Sequence, residues 1–95
     1  MRITDYEKQT IVDAVLNIDP NAKIWLFGSR ADDSKKGGDI DIGVLSSKVK
    51  VMEEIKIKQN IYDKIGEQKI DLLVSEDNKQ VFFKNAVIKG ILLHG

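Results

Sequence analysis

Apolar and polar positions change period along this chain, and each change marks an element. From Asp5 to about Asn17, Ile11, Val12, Val15 and Leu16 recur at helical spacing, which predicts an amphipathic helix. Thr4 stands where an N-cap belongs, and Glu7, three residues on, can close a capping box. Asp19-Pro20-Asn21 predicts a turn. The run KIWLF, Lys23 to Phe27, is rich in strand formers and is stopped by Gly28. In DIDIGVL, Asp39 to Leu45, charged and apolar residues alternate, the period-two pattern of a strand. From about Lys48 to Ile65 the period turns helical again. Val51, Met52, Ile55, Tyr62 and Ile65 group on one side, Ile57 and Ile61 lie beside that stripe, and Gly66 suits the position past the helix end. KIDLLV, Lys69 to Val74, predicts a third strand, and a last helix is expected from about Asn78 to His94.

The predicted order is helix, strand, loop, strand, helix, strand, helix. A helix between the second and third strands implies that these two lie parallel in one sheet. The expected fold class is α/β, a small mixed sheet with helices packed on it. Residues 81–83, 86–88 and 91–93 (Val81, Phe82, Phe83, Ala86, Val87, Ile88, Ile91, Leu92, Leu93) surround the last helix. A helix apolar on every side must be buried on every side, so the other helices cover it, the ending frays, or a second body covers it.

Composition narrows the classes. The 95 residues suffice for one domain, residues 1–95, and 32% charged against 42% hydrophobic residues is a globular balance. Lys+Arg and Asp+Glu both total 15, which removes the electrostatic case for direct nucleic-acid binding. A single nucleotide needs only local positive charge. Without cysteine there is no disulfide frame and no thiolate metal site. No signal-peptide pattern and no membrane-spanning run is present, so a cytoplasmic protein is expected.

The chemistry gathers between Gly28 and Asp71. Side chains alternate across a strand, so Asp39 and Asp41 share a face while Ile40 and Ile42 point to the core. Two carboxylates on one face repel, and a hard cation such as Mg²⁺ relieves them. Asp71, on the third strand, completes a three-carboxylate cluster if that strand neighbours the second. Such a cluster could hold two Mg²⁺ ions, the arrangement that clamps attacking and leaving oxygens in phosphoryl or nucleotidyl transfer. A lone strand aspartate is often only an exposed residue, and Asp71 taken singly is open to that reading. DIDIG is not an EF-hand loop, because its intervening residues are isoleucine and no terminal glutamate follows.

Gly28 permits a tight turn whose backbone N–H groups can face an anion, with the Ser29 hydroxyl and the Arg30 fork as further donors. The glycine-lysine-serine element of a Walker loop is missing. In the following loop Asp32, Asp33, Lys35 and Lys36 read as solvated charge, and Gly37 and Gly38 let the chain turn into the strand. His94, the only histidine, has no partner for zinc. Trp25 and Phe27 share a strand face and read as packing residues, as do Tyr6 and Tyr62.

Taken together, GSRADDSKKGGDIDIGV and the later KIDLLV resemble the nucleotidyltransferase signature of the DNA polymerase β superfamily, and in their brevity the minimal nucleotidyltransferase (MNT) group. The resemblance covers nearly the whole chain. It implies a polymerase β-like nucleotidyltransferase fold in which Gly28, Ser29 and, with them, Arg30 hold the triphosphate. Asp39 and Asp41 would bind both Mg²⁺ ions, and Asp71 would bind the catalytic ion and help deprotonate the attacking hydroxyl. Gly38 departs from the pattern, where serine is common. MNT proteins are commonly antitoxins paired with a HEPN-domain toxin. The implied activity is transfer of AMP from ATP to a tyrosine hydroxyl of that partner, within a hetero-oligomer. Two alternatives remain open: an antitoxin that masks its toxin by contact alone, and transfer to a small molecule, for which this chain has no extra helical domain.

Overall fold

The structure, a computed structural model, describes residues 1–32, 38–66, 68–77, 83–84 and 88–95, Ser29 by its backbone alone. Helix α1 spans Asp5–Leu16, and its start is the capping box read from the sequence. The Glu7 N–H donates to Thr4 Oγ1 at 3.0 Å, and the Thr4 N–H donates to Glu7 Oε1 at 2.8 Å. Two of the helix's unpaired N-terminal donors are thereby satisfied. Strand β1 (Lys23–Phe27) follows, then a 3-10 turn over Gly28–Ala31, strand β2 (Ile40–Leu45), helix α2 (Val51–Ile65), strand β3 (Ile70–Ser75) and strand β4 (Ile91–His94).

The four strands form one sheet in the order β3-β2-β1-β4. β1 runs antiparallel to both β2 and β4, and β2 runs parallel to β3. The helical crossover α2 is what makes the parallel pair possible, as expected. Alternation then sorts the side chains. Ile24 and Leu26 of β1, Ile40, Ile42 and Val44 of β2, and Ile70 of β3 are buried in one cluster with Ile11 and Val15 of α1 and Ile57 and Ile61 of α2. Each such side chain removed from water contributes about 1.5–3 kcal/mol. On the opposite face Trp25 meets the buried Phe83 edge-on, ring centroids 5.6 Å apart at 87°. Gly43, paired with Trp25, lies beneath the same ring: a Cβ there would make ordinary contact with Phe83 at 3.5 Å. Trp25 is a packing residue, as its position predicted.

Two expectations are corrected. The segment expected as the end of a helix to His94 is strand from Ile91 onward, although Phe83, Lys84, Ile88 and Lys89 are helical. Pairing with β1 satisfies the outer backbone groups of β1, which a helix could not do. Ile91, Leu92 and Leu93 therefore alternate across a sheet: Leu93 joins the core and Leu92 is exposed. The argument for a second body from a helix apolar on every side loses these three residues, and Val81, Phe82, Ala86 and Val87 lie outside the described residues, as do Asn78, Asp33, Lys35, Lys36 and Gly37. The second correction concerns α2. Its buried face is set by Ile57 and Ile61, both at 0% exposure, while Val51, Met52 and Ile55 are 70%, 62% and 57% exposed. At about 100° per residue the buried pair lies roughly a third of a turn around from the centre of the expected stripe. Among the described residues no helix is long and apolar enough to cross a membrane.

The predicted turn at Asp19 has a second role. Asp19 Oδ1 accepts the Asn21 N–H at 3.0 Å, and the buried Ser46 Oγ–H donates to Asp19 Oδ2 at 2.6 Å. Ser46 Oγ also accepts the Lys48 N–H at 3.0 Å. The start of β1 is thus fastened to the end of β2. The Ser46 hydrogen bond, against burial, holds the Asp19 carboxyl below its ordinary 3.8. A depressed carboxyl stabilises the fold at pH values above 3.8, and that stability is lost as pH falls through the lower folded value. Ser46→Ala is expected to cost about 1–3 kcal/mol in urea denaturation at pH 7. The deficit should shrink below pH about 4; an equal deficit at pH 3 and pH 7 would rule out the charged hydrogen bond as its source.

Candidate active site

The candidate site lies at one end of the sheet, on the face turned away from α1 and α2. The register explains its composition. Phe27 of β1 pairs with Asp41 of β2, and Asp41 pairs with Asp71 of β3. Ile40, Ile42 and Ile70 point to the helices and are buried, so Asp41 and Asp71 point to the other face. The carboxylate from the later strand is therefore on the same side of the sheet as that of Asp41. Asp39 immediately precedes β2, and the Ile40 N–H donates to the Lys69 carbonyl at 2.9 Å, which brings the approaches to β2 and β3 together.

Gly28 closes the site from β1. Its φ is +72°, a region that favours glycine. It also lies against the Asp41 carboxylate, so that a Cβ would collide with Asp41 Oδ2. Gly28, Ser29 and Arg30 belong to the 3-10 turn. Gly38 has φ +94°, which accounts for glycine where the signature often has serine. Arg30 is turned toward protein acceptors: Nε donates to the Gly38 carbonyl at 3.2 Å, Nη1 to the Arg2 carbonyl at 3.0 Å and Nη2 to Gln68 Oε1 at 3.3 Å.

Charge is concentrated here. Burial first, then a hydrogen bond with Asp71 and the charges of Asp71 and Asp39, push the Asp41 carboxyl up to about 6, with Lys69 opposing. Lys69 Nζ stands 3.3 Å from Asp39 Oδ2. The hydrogen bond and charge of Asp39, with Asp71 and Asp41 behind it, raise the Lys69 ammonium above its ordinary 10.5. Among the described residues no three acidic or histidine side chains stand in a metal-holding group; Asp39 is engaged with Lys69. The donor chemistry nevertheless suits a hard cation: carboxylate oxygens from adjacent strands, one of them held ionised at neutral pH against its surroundings.

With this geometry in hand, the comparisons with known proteins are decisive on family. The model of the family described as polymerase beta, nucleotidyltransferase matches residues 9–95. The chain belongs to this nucleotidyltransferase family. No curated protein matches it. Among solved structures, a chain of a toxin–antitoxin complex of MntA and HpeT, carrying two aspartate-to-glutamate substitutions, has a TM-score of 0.74 at 21% identity, over 93% of this chain and 73% of that one. A toxin–antitoxin complex with AMP-PNP gives 0.74 at 23%, over 93% and 73%. The tri-AMPylated Shewanella oneidensis HEPN toxin in complex with MNT antitoxin gives 0.69 at 23%, over 94% and 70%. At these identities the likeness speaks for the fold: a polymerase β-like nucleotidyltransferase domain with a mixed sheet.

Several residues around this candidate site escaped the sequence. Lys69 faces Asp39, and its signal was only its place before Ile70, which pairs with Ile40. Gln68 had no signal at all. Glu7 was legible as a cap but not as the acceptor of Gln68 Nε2, at 3.0 Å.

Two variants test the site. A carboxyl whose folded value lies above its unfolded 3.8 favours the fold at low pH, and that contribution is lost as pH rises through about 6. Asp41→Asn should therefore be more stable than wild type at pH 7.5 without divalent cation, by about 1 kcal/mol after solvent screening of a partly exposed group. The gain should vanish near pH 4, and urea denaturation at both pH values checks it. Gly28→Ala should cost about 1–2 kcal/mol through the positive φ and displace the Asp41 carboxylate; unchanged divalent-cation affinity in that variant would count against the close approach.

Proposed function

We propose that this chain is an Mg²⁺-dependent nucleotidyltransferase that acts as the antitoxin of a HEPN/MNT pair, moving AMP from ATP to a tyrosine hydroxyl of its partner toxin. The observation that carries the reading is the pairing of Asp41 with Asp71 on adjacent parallel strands, beside Asp39 and the Gly28 turn. The family match supports nucleotidyl transfer, and the three neighbouring complexes support a toxin partner, a nucleotide ligand and AMP as the transferred group.

In this reading the backbone of Gly28 and Ser29 orients the triphosphate, and the absence of a side chain at Gly28 lets it approach Asp41. Asp39, Asp41 and Asp71 are the residues that would hold Mg²⁺, which supplies charge neutralisation at the phosphate oxygens when bound. Asp71, the exposed member, accepts the proton of the attacking hydroxyl. The tyrosine oxygen forms a bond to the α-phosphorus in line with the leaving group, the bond from that phosphorus to the bridging oxygen breaks, and pyrophosphate departs with the electron pair. Little covalent work falls to side chains, so positioning and electrostatics dominate. The acceptor wall comes from the partner in a hetero-oligomer.

The test uses α-labelled ATP, Mg²⁺ and a HEPN-domain protein sought in the gene next to that of this chain. Label should pass to the partner, and Asp39→Ala or Asp41→Ala should lower the rate at least about a hundredfold. If both variants still neutralise the toxin fully while no label is transferred by wild type, the chain masks its partner by contact and the enzymatic reading fails.

A further inference from the structure

Arg30 joins three segments that meet at the candidate site. Its Nε donates to the carbonyl of Gly38, the residue before Asp39, at 3.2 Å. Nη2 donates at 3.3 Å to Gln68 Oε1, three residues before Asp71. Nη1 donates at 3.0 Å to the Arg2 carbonyl, and the Arg30 carbonyl accepts the Arg2 N–H at 2.7 Å. The chain of contacts continues outward. Gln68 Nε2 donates to Glu7 Oε2 at 3.0 Å, and the other Glu7 oxygen accepts the Thr4 N–H at 2.8 Å. Burial raises the Glu7 carboxyl, but the hydrogen bonds from Thr4 and Gln68, with the Arg30 charge, bring it below its ordinary 4.5. The α1 cap, the approach to β3 and the approach to β2 are thus fastened to one planar cation.

The geometry has a consequence for the carboxylates. Gly38 and Gln68 lie on the two backbone segments that deliver Asp39 and Asp71 to the site, and the β2–β3 ladder begins only at the Ile40–Lys69 hydrogen bond. Among the described residues the ladder does not extend beyond that bond, and the Arg30 fork bridges the two segments there, with the Lys69–Asp39 ion pair beside it. A guanidinium offers its donors in a fixed planar array, which lysine cannot copy. Each nitrogen of Arg30 donates to a protein acceptor, so three of its five N–H groups are used within the chain and these contacts set the plane of the guanidinium.

We propose that Arg30 is a positioning residue, tying Gly38 to Gln68 and so setting the placement of Asp39 relative to Asp71 on which divalent-cation binding depends, and that it is not a phosphate ligand. The catalytic consequence rests on the nucleotidyl-transfer reading, but the property itself is read from cation affinity.

The experiment titrates the full chain with Mn²⁺ alone, following free Mn²⁺ by electron paramagnetic resonance, and separately with AMP-PNP in excess chelator. Wild type, Arg30→Ala, Arg30→Lys, Gln68→Leu and the double variant Arg30→Ala/Gln68→Leu are compared. Arg30→Ala and Gln68→Leu should each weaken Mn²⁺ binding about tenfold or more, as loss of supporting hydrogen bonds does at metal sites. Arg30→Lys should not rescue it, the double variant should be no worse than Arg30→Ala, and metal-free AMP-PNP affinity should be unchanged throughout. Weakened metal-free AMP-PNP binding in Arg30→Ala with Mn²⁺ affinity intact would overturn the proposal in favour of a phosphate clamp. Wild-type Mn²⁺ affinity in Gln68→Leu would overturn it as well, and that variant decides the matter if Arg30→Ala fails to fold. Absence of Mn²⁺ binding in wild type also overturns it. Should wild type bind Mn²⁺ in the expected way yet transfer no AMP, the transfer reading falls while the role of Arg30 stands.

Discussion

The parallel register of β2 on β3 is the constraint from which the site follows. It sets Asp41 beside Asp71 and, by the same alternation, Ile40 beside Ile70 and Ile42 beside Leu72. A slip by one residue would turn Asp71 toward the helices and Ile70 or Leu72 toward water. The buried isoleucines and the α2 crossover make that slip costly. The hydrophobic core therefore aligns the carboxylates without touching them. The two faces of one sheet do separate tasks: one holds the fold together, and the other gathers charge.

Two aspartates show how environment sets the protonation of one kind of side chain. Asp19 is buried, yet it accepts hydrogen bonds from Ser46 and Asn21, and its proton is easily lost. Asp41 lies among burial and like charge, and its proton is held to about 6. The first contributes to stability at neutral pH and the second subtracts from it. Such a carboxylate gains stability from an opposite charge brought beside it. Lys69 offsets part of that cost from the rim without entering the core.

The N-terminal segment is tied into the same arrangement. The Thr4–Glu7 capping box would stabilise α1 in any context, but Glu7 also accepts from Gln68, and Gln68 accepts from Arg30. A local device at a helix end thus becomes part of the support beneath the site. Gly28 and Gly38 mark the two ends of the turn-and-loop segment between β1 and the Asp39–Asp41 pair. One is required by a close approach as well as by its dihedral, the other by its dihedral.

What could be read from the sequence was local in origin. A run of strand formers stopped by Gly28 marked β1, alternation marked β2, KIDLLV marked β3, a helix between β2 and β3 made those two parallel, the capping box announced α1, and Gly28 near paired aspartates pointed to the candidate site. Periodicity reports which residues can share a face; it cannot report which face meets the sheet or which strand edge remains open. Hence the last apolar run, suited equally to helix or strand, became β4 once the free edge of β1 was available. Hence also α2 buried Ile57 and Ile61 and left Val51, Met52 and Ile55 in solvent. Lys69, Gln68 and the three acceptors of Arg30 are far from one another along the chain, and only folding brings them within hydrogen-bond reach. The sequence by itself determined the kinds of element and the chemistry each could carry. The tertiary structure decided register, exposed faces and partners, because these depend on contacts between segments that no local pattern encodes.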